Sequence, residues 1–286
     1  MTACLEPQAG RGAASAGMMG GLSRHWPEYL MEAAELGLFM LAACIVVAIV
    51  EHPASPVRQA IGDPLARRAL IGLAMGLTAA GIALSPIGQR SGAHFNPAVT
   101  LTFFRLGRIA PWDAAFYVLA QFAGAVAGVV AATILLGRSV LADPGVGYLL
   151  TVPGEHGPAL AFAAETAISF GLMLTVLFVS NVRRLNRYTA WFAGALVALF
   201  IIVEAPLSGM SMNPARSFGS ALPAQAWNAL WLYFTAPPLG MLLAAEVYLR
   251  SRGHGAVLCC KLHHANDKRC IFRCRFGAQP TGEQQP

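Results

Sequence analysis

The triplet Asn-Pro-Ala occurs twice in this chain, as Asn96-Pro97-Ala98 and as Asn213-Pro214-Ala215. Asparagine is a strong helix N-cap, and proline is favoured at the first helical position because its missing N–H is not needed there. Each triplet therefore predicts a helix start with its positive dipole end towards the preceding loop. If the asparagine oxygen caps its own helix, the side-chain amide is left to donate hydrogen bonds to a neutral polar molecule. One such pair alone would favour a simple turn, so the repetition matters.

The elements that must position these triplets are long apolar stretches. The 286-residue chain is 56% hydrophobic and 12% charged, with a mean hydropathy of +0.55, whereas about a quarter of an ordinary globular domain is charged. This composition excludes a disordered chain and disfavours a soluble fold. Six stretches are close to the ~20 residues that a helix needs to cross a membrane: residues 29–50, 68–87, 112–136, 159–180, 188–207 and 228–249. They are too long for barrel strands, so the sequence predicts an all-α integral membrane protein.

The two triplets occupy matching places in an internal repeat. The first follows the second apolar stretch and the second follows the fifth, while Ala34-Glu35 is echoed by Ala164-Glu165. Because each half has three spans, the halves (residues 29–136 and 159–250) lie in opposite orientations, as an inverted repeat. The segments after the triplets, about ten residues long, are too short to cross. They predict two re-entrant half-helices that enter from opposite faces and meet at mid-membrane.

Basic residues predict the orientation of the chain. The net charge is +6, and fifteen of the 20 Lys and Arg residues fall in the two tails and in the connections on the same side of the membrane. Because Lys and Arg are enriched on the cytoplasmic side, both termini are expected there, and the basic balance does not indicate nucleic-acid binding. The expected location is the plasma membrane, as the inner membrane of a bacterium.

These motifs resemble the signatures of the aquaporin, or major intrinsic protein, family. Residues 91–100 match the first signature and residues 213–219 the second, and the resemblance covers about residues 29–250. It implies six tilted spans and two half-helices per protomer, usually in a homotetramer with one pore in each subunit. We therefore expect a flexible tail over residues 1–28, a channel domain over residues 29–250 and a basic tail over residues 251–286.

The resemblance implies a passive channel in which water passes in single file while cations and protons are excluded. Asn96 and Asn213 then donate hydrogen bonds to the central water, and Arg216 repels cations. His94 is expected at the cytoplasmic pore mouth, and Glu35 and Glu165 are expected to support the re-entrant loops. The partners are water, small neutral solutes and the lipid bilayer. Neither a cofactor, a metal nor an enzymatic activity is implied.

The expected selectivity filter departs from the usual water-specific pattern of the family. Met75, or its neighbour Gly76, falls where an aromatic residue is common, and Ile201 falls where water-selective members often have histidine. Met210 and Arg216 take the remaining two positions. Loss of a ring and a histidine leaves room for glycerol, urea or uncharged hydroxides, although flexible methionines can fill space. Both a water channel and a broader facilitator remain open, with water permeation as the base activity.

Other function classes fit the sequence less well. A coupled secondary transporter also uses inverted repeats, but it would need ion-binding groups where this chain has amides and positive dipole ends. An intramembrane enzyme would need a nucleophile beside a base or a catalytic metal, and neither pattern is present in the sequence. A junction-forming relative without permeability is a further alternative.

The C-terminal tail holds four of the six cysteines. Cys260-x2-His263 and Cys270-x3-Cys274 resemble a four-ligand zinc spacing, with Cys259 and His264 as additional candidates. The alternative is a basic tail whose cysteines lie on the membrane surface or are acylated. Because the spacing is loose, the sequence assigns no metal site, and Glu204 in the fifth span is left without a role.

Overall fold

The computed structural model describes residues 17–276. Over this range the chain forms α-helices and three short 3-10 turns, at Gly147–Leu149, Asn186–Tyr188 and His254–Ala256. The α-helices are α1 (Met18–Glu51), α2 (Pro56–Ala60), α3 (Pro64–Leu84), α4 (Pro86–Ser91), α5 (Pro97–Arg105), α6 (Pro111–Leu136), α7 (Arg138–Ala142), α8 (Gly157–Ser180), α9 (Thr189–Val203), α10 (Ala205–Ser208), α11 (Pro214–Ala224) and α12 (Leu230–Arg252).

Six of these elements are long and apolar enough to cross a membrane. They are α1, α3, α6, α8, α12 and the segment Asn186–Val203 that contains α9. Large apolar side chains on their outer faces are exposed, such as Leu77 at 63% and Ile134 at 81%. In a bilayer this exposure places them against lipid or a neighbouring protomer. The six predicted spans and the all-α membrane fold are confirmed.

Helix α1 begins earlier than the sequence indicated. Residues 18–28, expected in the flexible N-terminal tail, form about three turns of helix. The cause is a set of contacts with other elements: the Tyr29 hydroxyl donates to Asp113 Oδ1 over 2.6 Å, and His25 Nδ1 lies 2.8 Å from the same oxygen. Arg90 Nε donates to Glu28 Oε1 over 2.9 Å. Residues 1–16 and 277–286 of the two expected tails lie outside the described residues.

The two halves of the repeat interlock. Helix α1 packs along α6 in the first half, and α8 packs along α12 in the second. Helix α3 packs against α9 across the halves. The short helix α5 packs mainly against α12, and α11 packs mainly against α6, so each short helix rests on the third span of the other half. This exchange brings the N-termini of α5 and α11 together at the centre.

Glycine allows the α1–α6 pair to approach closely. A Cβ atom on Gly124 of α6 would lie 2.0 Å from the carbonyl oxygen of Ala33 in α1. A real Cβ atom cannot occupy that position, so any other residue would push the two helices apart. The contact also matters for the loop that precedes α5, because α1 carries buried glutamates that contact this loop.

Candidate pore

The short helices α5 and α11 both start at the asparagine that the triplets predict. Asn96 Oδ1 accepts a hydrogen bond from the Ala98 amide over 2.9 Å. Asn213 Oδ1 accepts from the amides of Ala215 and Arg216 over 3.0 and 3.2 Å. Each asparagine oxygen is therefore a true N-cap. The helices are nine and eleven residues long, too short to cross a bilayer.

The amide groups of the two asparagines cross between the loops. Asn96 Nδ2 donates to the Met212 carbonyl oxygen over 2.7 Å, and Asn213 Nδ2 donates to the Phe95 carbonyl oxygen over 2.8 Å. Each side-chain NH2 group has two hydrogens. One hydrogen locks the opposite loop, and the second is left to donate to a molecule between the two asparagines.

The backbone before each asparagine has the same unusual course in both halves. Ala93 and Phe95 have φ values of 57° and 29°, and Met210 and Met212 have φ values of 49° and 53°. A non-glycine residue in this left-handed region costs of order 1–3 kcal/mol and persists only where its surroundings impose it. The loops must therefore be held in place by other groups.

Two buried carboxylates hold the loops. Glu32 accepts hydrogen bonds from the amides of His94 and Phe95 over 2.9 and 2.7 Å. Glu165 accepts in the same manner from the amides of Ser211 and Met212 over 2.6 and 2.7 Å. The predicted support role fits the position of Glu165. Its partner in the first half, however, is Glu32 and not Glu35.

The pairing of Glu35 with Glu165 in the sequence repeat was therefore wrong. Glu35 lies one helical turn further along α1, where it accepts a hydrogen bond from the Ser91 hydroxyl over 2.5 Å. It still contacts the first loop, but at the residue where α4 ends and not at the strained backbone. Apart from Glu51 at its C-terminus, α1 carries three carboxylates, and all three are fully buried: Glu28, Glu32 and Glu35. Sequence spacing alone does not separate their roles.

Glu204 contacts the second loop at its start, through Ser208. The Ser208 hydroxyl lies within hydrogen-bond reach of Glu204 Oε1 and 2.7 Å from Glu165 Oε1. The Tyr233 hydroxyl donates to the Ser208 carbonyl oxygen over 2.6 Å, just as the Tyr117 hydroxyl donates to that of Ser91. Glu204 is 5% exposed. The structure thus gives it a packing position beside the loop.

A cavity of about 280 Å³ runs past the two asparagines. It follows α3 from Arg68 to Ala83, a length of about 22 Å of helix. Leu149, Leu150 and Arg216 line it near the start of α3, and His94 and Leu262 line it near the other end. Its wall is mostly apolar, with polar groups concentrated at the asparagines, the arginines and His94.

All four predicted filter residues line this cavity: Met75, Ile201, Met210 and Arg216. Arg216 Nη1 donates to the Leu149 carbonyl oxygen over 2.9 Å, which fixes the direction of the guanidinium. Gly76, the alternative to Met75, instead faces α9, where a Cβ atom would lie 2.4 Å from the Gly194 carbonyl oxygen. Of the two candidates, Met75 is therefore the α3 residue that lines the cavity.

A second arginine in the cavity wall was missed by the sequence analysis. Arg68 lines the cavity, and its Nε donates to the Ile202 carbonyl oxygen over 3.3 Å. The signal was present in the spacing, because Arg68 lies seven residues, about two turns, before Met75 and so on the same helix face.

His94 lines the other end of the cavity, but its ring is engaged on all sides. Nδ1 lies 3.1 Å from Thr100 Oγ1, and Nε2 lies 3.0 Å from the Cys260 carbonyl oxygen. A carbonyl oxygen only accepts, so Nε2 carries a hydrogen and donates. The ring stacks between Phe103 and Phe272, with centroids 5.3 and 5.6 Å away. Its pore-mouth role stays a prediction.

A known protein family shares the part of the chain that carries these features. The family model described as Major intrinsic protein matches residues 23–248. This range includes both triplets, every residue that lines the cavity except Leu262, and most of each of the six spans. The chain belongs to the major intrinsic protein family. Members of this family are channels and not enzymes, and they are integral, multi-pass membrane proteins.

Plant members of the major intrinsic protein family are similar to this chain in sequence. A relative named "Probable aquaporin NIP-type" from Nicotiana alata is 40% identical over 165 residues, which is 57% of this chain and 58% of that one. Aquaporin NIP6-1 from Arabidopsis thaliana is 38% identical over 169 residues, or 58% and 53% of the two chains. The matched region thus spans a little over half the length of these curated relatives.

The fold of this family member is also found in a solved structure. The X-ray structure of the aquaglyceroporin from Plasmodium falciparum superposes with a TM-score of 0.61 at 19% identity, covering 78% of this chain and 95% of that one. At this identity the likeness shows the fold alone. It confirms the architecture of six spans and two half-helices.

Proposed function

We propose that this major intrinsic protein is a passive channel for water and small neutral solutes. The observation on which this rests is the cavity that passes between two asparagine amides, each held by its own helix cap and by the opposite loop. A molecule at this point meets two fixed donors and apolar walls. Binding is then strong enough to orient the molecule and weak enough to release it.

Charge explains the exclusion of cations and protons. The N-termini of α5 and α11 each contribute roughly half a positive charge at the centre. Arg216 adds a full charge in the wall, and Arg68 adds another nearer the start of α3. A central water that accepts hydrogen bonds from both asparagines points its own hydrogens away from them. A proton therefore cannot hop through this water across the centre. A hydronium or metal ion meets repulsion in a low-dielectric surrounding, where it is stronger than in water.

The filter composition supports passage of solutes larger than water. Three of its four side chains, Met75, Ile201 and Met210, offer no hydrogen bond of ordinary strength, and Met210 lies in the loop itself. A neutral solute such as glycerol or urea can then use Arg216 and the Leu149 region for polar contacts and the methionines for its apolar face. The similar proteins named aquaporin and aquaglyceroporin are consistent with both solute classes.

The proposal extends to assembly and membrane orientation. The protomers form a homotetramer in the plasma membrane, with one cavity in each protomer and both termini in the cytoplasm. The apolar side chains exposed on the outer faces of the spans supply surface for both lipid and neighbouring protomers. The excess of Lys and Arg on one side supports the orientation.

Solute flux into proteoliposomes tests the solute range. Wild-type protein should speed osmotic shrinkage and also reswelling in glycerol and in urea. The double variant Met75→Phe/Ile201→His restores a ring and a histidine and should lower glycerol flux by roughly tenfold while water still passes. Leu77→Phe is the matched control, because Leu77 is 63% exposed on the outer side of α3. Fast water with glycerol flux at the empty-liposome rate would instead mean a channel restricted to water.

A further inference from the structure

The tail after α12 folds onto the end of the cavity that His94 lines. Residues 257–276 contain little regular secondary structure, yet Cys259, Cys260 and Leu262 are buried. Backbone bonds fasten the tail to the rest of the chain: the Leu262 amide donates to the Gly92 carbonyl oxygen over 3.0 Å, and the Arg273 amide donates to that of Arg108 over 3.0 Å. No helix or strand orders residues 257–276, so a metal ion that cross-links side chains of this segment would add to its stability.

Four side chains in this tail converge on one point. Cys259, His264, Cys270 and Cys274 each offer one ligand atom, and all four atoms lie within 4.8 Å of one another. The sulfurs of Cys259 and Cys270 are 3.7 Å apart, and two sulfurs on one tetrahedral zinc ion lie about 3.8 Å apart. His264 Nε2 and Cys274 Sγ are 3.1 Å apart, against about 3.6 Å for a nitrogen and a sulfur on zinc.

Neighbouring groups orient two of these side chains. The His264 ring stacks on Phe276, with centroids 4.1 Å apart and an angle of 15° between the rings. The Phe276 amide donates to Cys274 Sγ over 3.4 Å, a contact that stabilises a thiolate. Cys260, which the sequence spacing had paired with His263, instead points to the Arg108 carbonyl oxygen 3.6 Å away.

We propose that Cys259, His264, Cys270 and Cys274 bind one zinc ion, which ties the tail across the His94 end of the cavity. Three thiolates and one imidazole form a closed tetrahedral set of the structural type. Binding releases three thiol protons and leaves the zinc with its ligands at a net charge of −1. The tail is rich in Arg and Lys, and those charges favour that anionic centre.

A bound zinc ion has a consequence for permeation, and this consequence rests on the proposed channel function. Cys260 accepts the hydrogen bond of His94 Nε2, Phe272 stacks on the His94 ring, and Leu262 forms part of the cavity wall. All three residues lie between zinc ligands in the sequence. Zinc therefore holds Leu262, which lines this end of the cavity, and the two residues that fix the His94 ring, and its removal frees all three.

Zinc content tests the site without reference to transport. Full-length protein, purified under reducing conditions without a histidine tag and equilibrated with zinc, should retain about one zinc per chain after gel filtration. Cys259→Ser and Cys274→Ser should lose most of it. Cys260→Ser is the matched control, a buried thiol beside Cys259 and outside the cluster, and should retain it. A zinc-free wild type, or an equal loss in Cys260→Ser, overturns the proposal.

Two measurements on wild-type protein guard against variants that fail to fold. Cobalt in place of zinc should give the intense visible bands of a tetrahedral centre and thiolate-to-cobalt charge transfer, and octahedral cobalt bands would contradict the ligand set. Chelation of zinc should raise water permeability of proteoliposomes several-fold. If the protein contains zinc but chelation leaves an active channel unchanged, zinc does not narrow the cavity. If the purified protein contains zinc but water flux is absent both before and after chelation, the channel proposal fails and the metal site stands.

Discussion

Asn96 and Asn213 each use the side-chain oxygen to cap a helix and one amide hydrogen to fasten the opposite loop. The remaining hydrogen of each is what a passing molecule meets. Rigid donors of this kind require a rigid backbone. Four residues in the two loops have left-handed backbone angles, which raise the conformational free energy of that backbone. Glu32 and Glu165 supply the compensation by accepting two backbone amides each.

This arrangement predicts unequal effects of two neighbouring substitutions. Glu32→Gln replaces one acceptor oxygen by a donor that faces a backbone N–H, so it should destabilise the protein by about 1–3 kcal/mol. Glu35→Gln, the control, keeps an acceptor for the Ser91 hydroxyl and should cost less. Thermal unfolding of the purified proteins in detergent gives both values. A larger loss for Glu35→Gln would return the loop-support role to Glu35.

Removal of the positive charge of Arg216 should weaken the exclusion of protons from the cavity. Arg216→Ala takes away a fixed positive charge that the Leu149 carbonyl oxygen holds in the wall. At a few ångströms that charge is worth a few kcal/mol, so proton conductance should rise roughly ten- to a hundredfold. A pH-sensitive dye trapped in proteoliposomes measures it. Arg138→Ala, an exposed arginine of α7, is the control. Equal proton conductance in wild type and Arg216→Ala would show that Arg216 is not part of the barrier.

At the scale of elements, the half-helices were predictable because their starts are encoded locally. Asparagine suits the N-cap and proline the first helical position, and the repetition of the pair in matching places of the two halves favours a helix start over a turn. The length of the following apolar segment excludes a span. The identity of the carboxylate behind the first loop was not predictable. Glu32 and Glu35 lie three residues apart in one apolar helix and so point to nearly the same face. Only the packing of α1 against the loop distinguishes them.

Close helix contacts predict opposite outcomes for two glycine substitutions. Gly124→Ala places a methyl group 2.0 Å from the Ala33 carbonyl oxygen and should separate α1 from α6, lowering the melting temperature by several degrees. Gly81→Ala in α3 meets nothing within 4 Å and should be neutral or stabilising by up to about 1 kcal/mol. Thermal unfolding of the two variants is the comparison. Equal stability of both would contradict the close α1–α6 contact.

For the whole molecule, the inverted halves place a half-helix of each on the third span of the other. The length of the six apolar stretches predicted the spans, and the two triplets predicted where the halves meet. The tail fold was beyond prediction, because residues 257–276 have no helical or strand period. Spacing favoured Cys260 and His263, whereas the structure brings Cys259 and His264 to Cys270 and Cys274.

The even number of spans predicts that both termini lie on one side of the membrane, and the excess of basic residues predicts that this side is the cytoplasmic one. In a bacterial host, a fluorescent protein fused to the full-length C-terminus should fluoresce, and alkaline phosphatase fused there should be inactive. Alkaline phosphatase inserted in the connection between α7 and α8 should be active. The reverse pattern at both positions would invert the orientation.

The most direct test of the central claim is osmotic water permeability of proteoliposomes, measured by stopped-flow light scattering with and without a zinc chelator. Wild type should shrink much faster than empty liposomes. Ala193→Trp, which fills the cavity from α9, should abolish most of this flux, whereas Ala195→Trp on the exposed side of the same helix should leave it unchanged. Shrinkage at the empty-liposome rate in both buffers, or equal flux in both tryptophan variants, would contradict a channel through this cavity.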